Sequence, residues 1–304
     1  MKPLRIGTRG SPLALWQARH VANLLRGVVP ARPIELVEIE TVGDQVRDVP
    51  LVRLGGDGAF TKAIQQALLD RRVDVAVHSL KDLPTFRVEG LMLAAVPKRG
   101  PTGDAFVSKK HRAFVELPGG AVVGTSSLRR RAQLLQRRPE LKLIDMRGNV
   151  ETRLRKLIEQ DLDAIILAQA GLVRLGLADQ ITEVLDATWM FPAVGQGALG
   201  LECRCDDDAT RVIVDRLNDA ATRWAVLAER AMLRGLGGGC QVPIGALTNI
   251  TEGNLTLRGV VLPPDGSQRV EAEIAGPMEQ AESLGQALAD QLRGRGAEEL
   301  LKEN

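Results

Sequence analysis

Tyrosine is missing from this 304-residue sequence, and Phe, Trp and Tyr together make up only 3% of it. A surface that stacks on nucleic-acid bases needs aromatic rings, so the composition argues against one. A basic excess is missing as well, because 40 Lys and Arg stand against 38 Asp and Glu, for a net charge of +2. Wholesale nucleic-acid binding usually shows as a strong basic excess, so no nucleic-acid partner is expected. Any anion site has to arise from local clusters of Arg.

Long apolar runs and cysteines are also scarce. The first residues, MKPLRIG, lack the apolar stretch of a secretory signal, and runs such as 91–96 are far too short to span a membrane. The three cysteines, Cys203, Cys205 and Cys240, are an odd number without an export signal. This predicts reduced thiols, a cytoplasmic location and no membrane association. Cys203 and Cys205 are too close for one structural zinc site and have no His nearby, so no metal is expected.

Short β-branched runs alternate with helical patterns along the chain. This alternation predicts βαβ units and largely parallel sheets in an α/β protein, and the length suits two or three domains. The predicted strands cover residues 4–8, 34–41, 73–78, 91–96, 105–108, 121–124, 142–145, 163–168, 255–261 and 269–274. The predicted helices cover residues 12–26, 60–71, 127–138, 150–160 and 170–175, with a long helix from about 220 to 236 and a terminal helix from about 278.

A faint internal repeat suggests how the chain is divided. IGT at 6–8 and VGT at 123–125 each end a strand and open a helix. The repeat predicts two similar α/β domains that face each other across a cleft, with ligands beyond the carboxyl ends of the strands. The alternative is that all α/β units look alike at this level. A change of pattern near residue 220 predicts a smaller C-terminal α+β domain. The predicted domains are 1–97 with 198–216, 98–197, and 217–304.

Arginines recur where predicted strands end. GTSSLRRR at 124–131 combines a strand end, hydroxyl groups, a helix N-terminus and successive Arg side chains, which together suit a carboxylate. A second basic turn, MRGNVETR, lies at 146–153, and Arg9 has the equivalent place in the first half. The alternative is a solvated basic helix face, the usual account of a charge run. The neighbouring Thr and Ser on the first helical turn favour an anion site, and the three ends predict a cleft for a polyanion.

Two other places could carry chemistry. Lys81 and Asp82 lie in HSLKDLP at 78–84, after a buried strand, where the carboxylate could act as acid and base or stabilise a cation. Alone, the pair is weak evidence, because most such pairs are surface ions. Cys240 follows three glycines, which allow close approach of a ligand, and its thiol could be a nucleophile or a covalent anchor. The alternative for Cys240 is a structural buried thiol.

Taken together, these motifs resemble the porphobilinogen deaminase family. The matching blocks are RGSPLA at 9–14, HSLKDLP at 78–84, GTSSLRR at 124–130, RGNV at 147–150, PAVGQGA at 192–198 and GGCQVP at 238–243. The resemblance implies two α/β domains of the periplasmic-binding-protein type, a smaller C-terminal domain and a monomer. It implies a transferase of haem biosynthesis that condenses four porphobilinogen molecules head to tail into hydroxymethylbilane, with release of ammonia. The expected partners are therefore porphobilinogen and the growing polypyrrole.

The resemblance also implies a cofactor and site residues. A dipyrromethane, two linked pyrrole rings, is expected on Cys240 through a thioether, with Asp82 as the catalytic carboxylate. Each substrate ring carries an acetate and a propionate, which accounts for the repeated Arg. The expected cofactor contacts are Cys240, Lys81, Asp82, Ser79, Thr125, Ser127, Arg129, Arg130, Arg147 and Gly148, with Ser126 as a further hydroxyl. The expected substrate contacts are Arg9, Ser11, Arg147, Arg153 and Gln196.

One position departs from the family pattern. The family often has Lys in a GGKGLF stretch, whereas this chain reads GGDGAF at 55–60, so Asp57 is assigned no substrate contact. The glycines and charges between residues 43 and 58 predict a mobile loop. Two rival functions fit part of the pattern. One is a two-lobed small-anion binding protein that needs neither Cys240 nor Asp82. The other is a nucleic-acid binder that uses residues 129–131, which the balanced charge disfavours.

Overall fold

The computed structural model describes residues 2–41, 61–239 and 242–302. The chain forms two compact units, Met1–Gly100 with Gly197–Arg223, and Pro101–Gln196 with Trp224–Asn304. In chain order the strands are β1 (Leu4–Thr8), β2 (Ile34–Glu38), β3 (Val75–Ser79), β4 (Leu91–Ala95), β5 (Asp104–Val107), β6 (Val122–Gly124), β7 (Lys142–Ile144), β8 (Ala164–Ala168), β9 (Glu183–Val184), β10 (Leu199–Arg204), β11 (Ile244–Thr251), β12 (Asn254–Val261) and β13 (Val270–Pro277). The helices are α1 (Pro12–Val28), α2 (Lys62–Leu69), α3 (Leu128–Arg137), α4 (Val150–Glu159), α5 (Gln169–Arg174), α6 (Asp208–Asp215), α7 (Ala220–Gly235), α8 (Ala281–Gly294) and α9 (Ala297–Lys302). Within the described residues, no helix combines the length and the apolar character needed to cross a membrane.

The first unit is built on a five-stranded sheet with the order β2-β1-β3-β10-β4. β1 is parallel to β2 and β3, whereas β10 is antiparallel to β3 and β4. Leu4 and Ile6 of β1 are buried in one core cluster with Ala18, Val21 and Leu25 of α1. The three α1 residues are spaced three to four positions apart, which gives the helix one apolar face. A second core cluster joins α2 to the strands.

The second unit contains another five-stranded sheet, with the order β7-β6-β8-β5-β9. Its β6 is parallel to β7 and β8, and β5 is antiparallel to β8 and β9. The strand order and directions match those of the first sheet. This match confirms two similar α/β parts, which the internal repeat predicts. The parallel arrangement holds for three strands in each sheet, and the cleft stays a prediction.

The sequence patterns predict no strand where the structure has β9, β10 and β11. β9 is only two residues long, too short to form a pattern. β10 was not predicted because it contains charged residues, which a sequence pattern treats as exposed. In the structure these residues are buried: Glu202 and Arg204 are only 6% and 5% exposed. Both are paired inside the unit: Glu202 accepts from Nε2 of Gln65 at 3.0 Å, and Arg204 donates from Nη2 to Asp207 at 2.6 Å. Buried charges are tolerated only when paired in this way.

The C-terminal part of the second unit is a three-stranded antiparallel sheet, β11-β12-β13, with helices packed on it. Met232 of α7 and Leu288 and Leu292 of α8 are buried in one cluster with Leu255 and Leu257 of β12. The apolar positions of the two helices therefore share one core with the sheet. This arrangement confirms the smaller α+β part that the sequence predicts.

Helix α8 packs tightly against α7 at Gly285. A Cβ atom there would overlap the carbonyl oxygen of Ala228 and lie 2.7 Å from the Cβ of Ala231. Because a helix backbone cannot easily move aside, we expect Gly285→Ala to lower the free energy of unfolding by about 1–3 kcal/mol, measured by urea denaturation. The control, Gly294→Ala in the same helix, meets no atom within 4 Å and should leave stability unchanged or slightly higher. Equal unfolding midpoints for both variants would contradict the close approach.

Candidate active site

The first candidate loop joins β1 to α1. Ser11 caps the helix, since its Oγ accepts a hydrogen bond from the N–H of Ala14 at 3.4 Å. Pro12 follows in the first turn, where a missing N–H costs nothing. The Thr8 hydroxyl donates to the Ala14 carbonyl oxygen at 3.1 Å. These bonds fix the ends of the loop, so Arg9 lies at the carboxyl end of β1.

The second candidate segment is the 3-10 turn Leu80–Asp82, which follows β3 directly. Leu80 is 1% exposed, and its N–H donates to the Ala198 carbonyl oxygen at 3.0 Å. The buried leucine anchors the turn on the sheet. Lys81 and Asp82 follow it as half-buried neighbours. The turn therefore holds a cation and a carboxylate side by side at the strand end.

These two segments lie at the same edge of the first sheet. β1 and β3 are parallel neighbours, with Ile6 opposite Val75, so their carboxyl ends meet. Gln17 of α1 is 3% exposed and donates from Nε2 to the Ser79 hydroxyl at 2.8 Å, which ties the helix to the end of β3. The structure thus brings together five residues that the sequence assigns to the site: Arg9, Ser11, Ser79, Lys81 and Asp82.

Asp82 differs from the paired carboxylates of the first unit. Asp74, for example, accepts from Nη2 of Arg5 at 2.8 Å, and those hydrogen bonds outweigh its burial and lower its pKa. In contrast, no donor within residues 2–41, 61–239 and 242–302 forms a hydrogen bond with the Asp82 carboxylate. A half-buried carboxylate with no internal donor can accept hydrogen bonds from a bound molecule.

In the second unit, the loop after β6 is held by its hydroxyl groups. Ser127 caps α3, since its Oγ accepts from the N–H of Arg130 at 3.4 Å. The Thr125 hydroxyl accepts from the N–H of Ser127 at 3.3 Å. The Ser126 hydroxyl accepts from the N–H of Met146 at 2.8 Å and donates to the Met146 carbonyl oxygen at 3.0 Å. Ser126 therefore joins this loop to the loop after β7.

The loop after β7 requires glycine at position 148. Gly148 has a φ of +112°, and a Cβ there would lie 2.6 Å from Cγ2 of Thr152. Arg153 donates from Nε to the Gly148 carbonyl oxygen at 2.8 Å, and Lys156 donates from Nζ to the Arg147 carbonyl oxygen at 3.2 Å. β6 and β7 are parallel neighbours, so both loops share one edge of the second sheet. That edge holds Thr125, Ser127, Arg147, Gly148 and Arg153.

Arg129 and Arg130, in the first turn of α3, are 4% and 5% exposed and share the carboxylate of Asp104. Nη1 of Arg129 lies 2.6 Å from Oδ2, and Nε and Nη2 of Arg130 lie 2.9 and 2.7 Å from Oδ1. Burial would raise the pKa of Asp104, but the charges of both arginines outweigh it and hold that pKa far below its usual range. We call these three residues the arginine cluster. It contains two positive charges and one negative charge.

Arg129 keeps a donor that its own unit does not use. Its Nε is buried and has no acceptor in the described part of the chain, whereas its Nη1 donates to Asp104 and to the Phe191 carbonyl oxygen. A buried N–H without an acceptor is costly, and a carboxylate of a bound molecule would satisfy it. The surplus positive charge of the arginine cluster favours the same ligand. These residues therefore fit a cofactor with acetate and propionate groups.

Gln196 lies beside the arginine cluster. Its Nε2 donates to the Thr102 carbonyl oxygen at 2.7 Å and to Oδ1 of Asp104 at 3.0 Å. The amide nitrogen thus joins residue 196 to the start of β5. The substrate contact assigned to Gln196 stays a prediction.

The sequence reasoning assigns no role to Gln17, Asp104 or Arg174. A lone Gln on a helix or Asp at a strand start is common, so neither of the first two gives a sequence signal. Arg174 follows the rule that identifies Arg153, because α5 follows the parallel strand β8. Burial lowers the pKa of Arg174 to about 10. Applied to β8, the same search for an Arg on the helix after a parallel strand would have identified Arg174 as a candidate site residue.

Three predictions lie outside the described residues: those for Cys240, Asp57 and the loop 43–58. Cys240 lies between α7 and β11 in the sequence, and the second unit includes α7 from Trp224 onward and all of β11. The chain on either side of the expected cofactor anchor therefore belongs to the unit that contains the arginine cluster.

Known proteins resemble this chain over nearly its whole length. Residues 4–212 match the family model "Porphobilinogen deaminase, dipyromethane cofactor binding domain", and residues 224–294 match "Porphobilinogen deaminase, C-terminal domain". Porphobilinogen deaminase of Syntrophotalea carbinolica is 51% identical over 298 residues, 98% of this chain and 95% of that protein. That of Geobacter sulfurreducens is 51% identical over 300 residues, 99% of this chain and 94% of that protein. Among solved structures, immunogenic lipoprotein A from Vibrio vulnificus has a TM-score of 0.45 at 14% identity, over 74% of this chain and 99% of that chain. On the family models and these identities, the chain belongs to the porphobilinogen deaminase family.

Proposed function

We propose that this chain condenses four porphobilinogen molecules head to tail into hydroxymethylbilane, with release of ammonia, as a transferase of tetrapyrrole biosynthesis. The observation that carries the proposal is the setting of Asp82. This carboxylate has no internal donor among the described residues and lies at the sheet edge that also holds Arg9 and Lys81. Such a carboxylate is suited to stabilise a cation, and the nearby basic residues suit a substrate that carries carboxylates. Membership of the family supplies a reaction that needs both.

The cofactor of this family is a dipyrromethane, and Cys240 is its proposed anchor. When bound, this group supplies the pyrrole carbon to which the first substrate ring is joined. Arg129 is the proposed ligand of its carboxylates, because the Nε of Arg129 has no acceptor in the part of the chain described. The further proposed contacts are Lys81, Asp82, Ser79, Thr125, Ser127, Arg130, Arg147 and Gly148.

Asp82 is the proposed catalytic residue. Loss of ammonia from the protonated aminomethyl group of porphobilinogen breaks a C–N bond; the bonding electrons leave with the ammonia, and the positive charge stays on the pyrrole as an azafulvene cation shared by the ring nitrogen. A fixed carboxylate that accepts a hydrogen bond from the ring N–H stabilises this cation more than it stabilises the uncharged pyrrole ring of the substrate. Such a difference in binding lowers the activation barrier.

The remaining basic residues are proposed to bind the substrate carboxylates. Arg guanidinium groups form paired hydrogen bonds with a carboxylate and remain charged at any working pH. A polypyrrole gains an acetate and a propionate with each ring, so repeated arginines can bind it at every length. The proposed substrate contacts are Arg9, Ser11, Arg147, Arg153 and Gln196.

The proposed setting of the enzyme is the cytoplasm, as a monomer that binds neither membrane nor nucleic acid. The odd number of cysteines and the balanced charge support this setting. The proposed domains are 1–97 with 198–216, 98–197, and 217–304. Light scattering after size-exclusion chromatography should give the mass of one chain, and a mass of two chains would contradict the monomer.

The activity test is incubation of the purified protein with porphobilinogen. One ammonia should be released for each porphobilinogen consumed, and mass spectrometry should find a linear product of four rings. The rival function is that of a small-anion binding protein that does no chemistry. Such a protein would bind porphobilinogen and release no ammonia. Saturable binding without ammonia would therefore reject the proposed function.

A further inference from the structure

Asp104 has both of its carboxylate oxygens occupied by donors. It is fully buried at the start of β5, opposite Ala168 of β8. Oδ2 accepts from Arg129, and Oδ1 accepts from Arg130 and from Gln196 at 3.0 Å. Donors on two sides fix the plane of the carboxylate. The Asp104 carboxylate is therefore held in one orientation, and both arginine side chains donate hydrogen bonds to it.

The two arginines use this carboxylate differently. All three guanidinium nitrogens of Arg130 donate hydrogen bonds inside the unit. Nε and Nη2 donate to Asp104, and Nη1 donates to the Ile166 carbonyl oxygen at 2.9 Å. Toward the described residues, Arg129 donates only from Nη1, to Asp104, to the Phe191 carbonyl oxygen and to the Met190 sulfur at 4.0 Å. A guanidinium group is planar, so these acceptors on Nη1 restrict the orientation of the whole group. The buried Nε is left without an acceptor in residues 2–41, 61–239 and 242–302.

We propose that Asp104 is a positioning residue for the reaction: it orients Arg129 so that its unused Nε–H meets a carboxylate of the bound dipyrromethane. The inference rests on the proposed function, because it needs a carboxylate-bearing cofactor in this unit. Asp104 also leaves the arginine cluster with one surplus positive charge, which matches one external carboxylate.

A purely structural role predicts something different. If Asp104 only stabilised the fold by pairing with the buried charges of Arg129 and Arg130, its loss in an Arg130→Met protein would lower the thermal unfolding midpoint and leave adduct and kcat/KM of the folded protein unchanged. If it orients Arg129, adduct and kcat/KM fall in folded protein even when Arg130 is gone. Replacing Arg130 by an apolar residue of similar length therefore separates the two roles.

The test compares Arg130→Met with the double variant Arg130→Met, Asp104→Asn. The single variant keeps the Asp104–Arg129 pair, whereas the double variant keeps the net charge of the native cluster but lacks the carboxylate. Both are purified, checked for folding by circular dichroism and thermal unfolding, and incubated with porphobilinogen. The readouts are the fraction of protein with the dipyrromethane mass increment, and kcat and KM.

We expect the double variant to be folded, with kcat/KM about 10- to 100-fold below that of the single variant and with less adduct. Equal adduct and equal kcat/KM in the two variants would overturn the proposal.

A second variant keeps the inference testable if the double variant does not fold. Arg129→Lys retains a cation beside Asp104 but has no Nε–H donor in the guanidinium geometry. We expect it to fold and to lose adduct and kcat/KM as the double variant does, and native values would overturn the proposal. Native protein is measured alongside. If it carries no adduct and releases no ammonia from porphobilinogen, the proposed function fails and this inference with it. If the native protein carries the adduct, and the double variant and Arg129→Lys carry it in full as well, only the role of Asp104 is overturned.

Discussion

Replacing Asp82 by Asn is expected to lower kcat about 10³-fold and to leave the fold intact. Asn has nearly the same size and shape as Asp but carries no negative charge, so it cannot stabilise the cation that forms when ammonia leaves. The carboxylate has no hydrogen-bond donor in the described residues, so its loss breaks no internal bond. Unfolding free energy should therefore change by less than about 0.5 kcal/mol. The rate of ammonia release and the thermal unfolding midpoint measure the two effects.

A matched control for Asp82→Asn is Glu89→Gln. Glu89 is an exposed carboxylate in the same unit, and the change is chemically equivalent. We expect its kcat to equal that of the native protein. If Asp82→Asn releases ammonia at nearly the native rate, Asp82 is not the catalytic carboxylate. If it loses activity only because it unfolds, circular dichroism will show this directly.

Replacing Cys240 by Ser is expected to abolish both the covalent cofactor and turnover. A thiol ionises far more readily than a serine hydroxyl and its thiolate is a strong nucleophile, whereas a serine hydroxyl without an adjacent base is not. The intact mass of freshly purified protein should exceed the sequence mass by two condensed pyrrole units, and Cys240→Ser should show the sequence mass alone. An unmodified mass in active native protein would reject the cofactor assignment. In inactive native protein, incubation with porphobilinogen should restore the increment.

The other thiols provide the control for Cys240→Ser. Cys205 is exposed, so Cys205→Ser tests whether any accessible thiol can carry the adduct. We expect this variant to keep the full mass increment and native turnover. Cys203 is a poor alternative anchor, because burial raises the pKa of its thiol to about 11. An increment that disappears in Cys205→Ser and persists in Cys240→Ser would move the anchor to Cys205.

Local sequence patterns predicted where the strands end and the helices begin at the loops of the candidate site. In the structure, a hydroxyl or amide residue caps the next helix at three of these strand ends: Ser11, Ser127 and Asn149. Caps and strand patterns depend on residues a few positions apart, so a sequence shows them directly. Parallel neighbouring strands then bring their carboxyl ends together. This is why Arg9 and Asp82 lie at one sheet edge although they are far apart in the chain.

Contacts between distant residues were not predictable in the same way. Asp104 meets Arg129 across 25 positions and Gln196 across 92. β10 was missed for a similar reason, since Glu202 looks like a surface charge until Gln65 is placed beside it, 137 positions away. No periodicity in a single sequence encodes such pairs.

The sequence by itself determined the family, the order of the strands and helices around each motif, and the chemical groups available at the strand ends. Those properties follow from short-range patterns and from motifs that are contiguous in the chain. Only the tertiary structure decided which of the two arginines paired with Asp104 keeps a buried donor unused within the described residues. Arg129 and Arg130 are adjacent and chemically identical, yet all three guanidinium nitrogens of Arg130 bond to Asp104 and Ile166, while the Nε–H of Arg129 has no acceptor there. The physical reason is that the charge and hydrogen bonding of a buried side chain depend on the partners that folding brings to it.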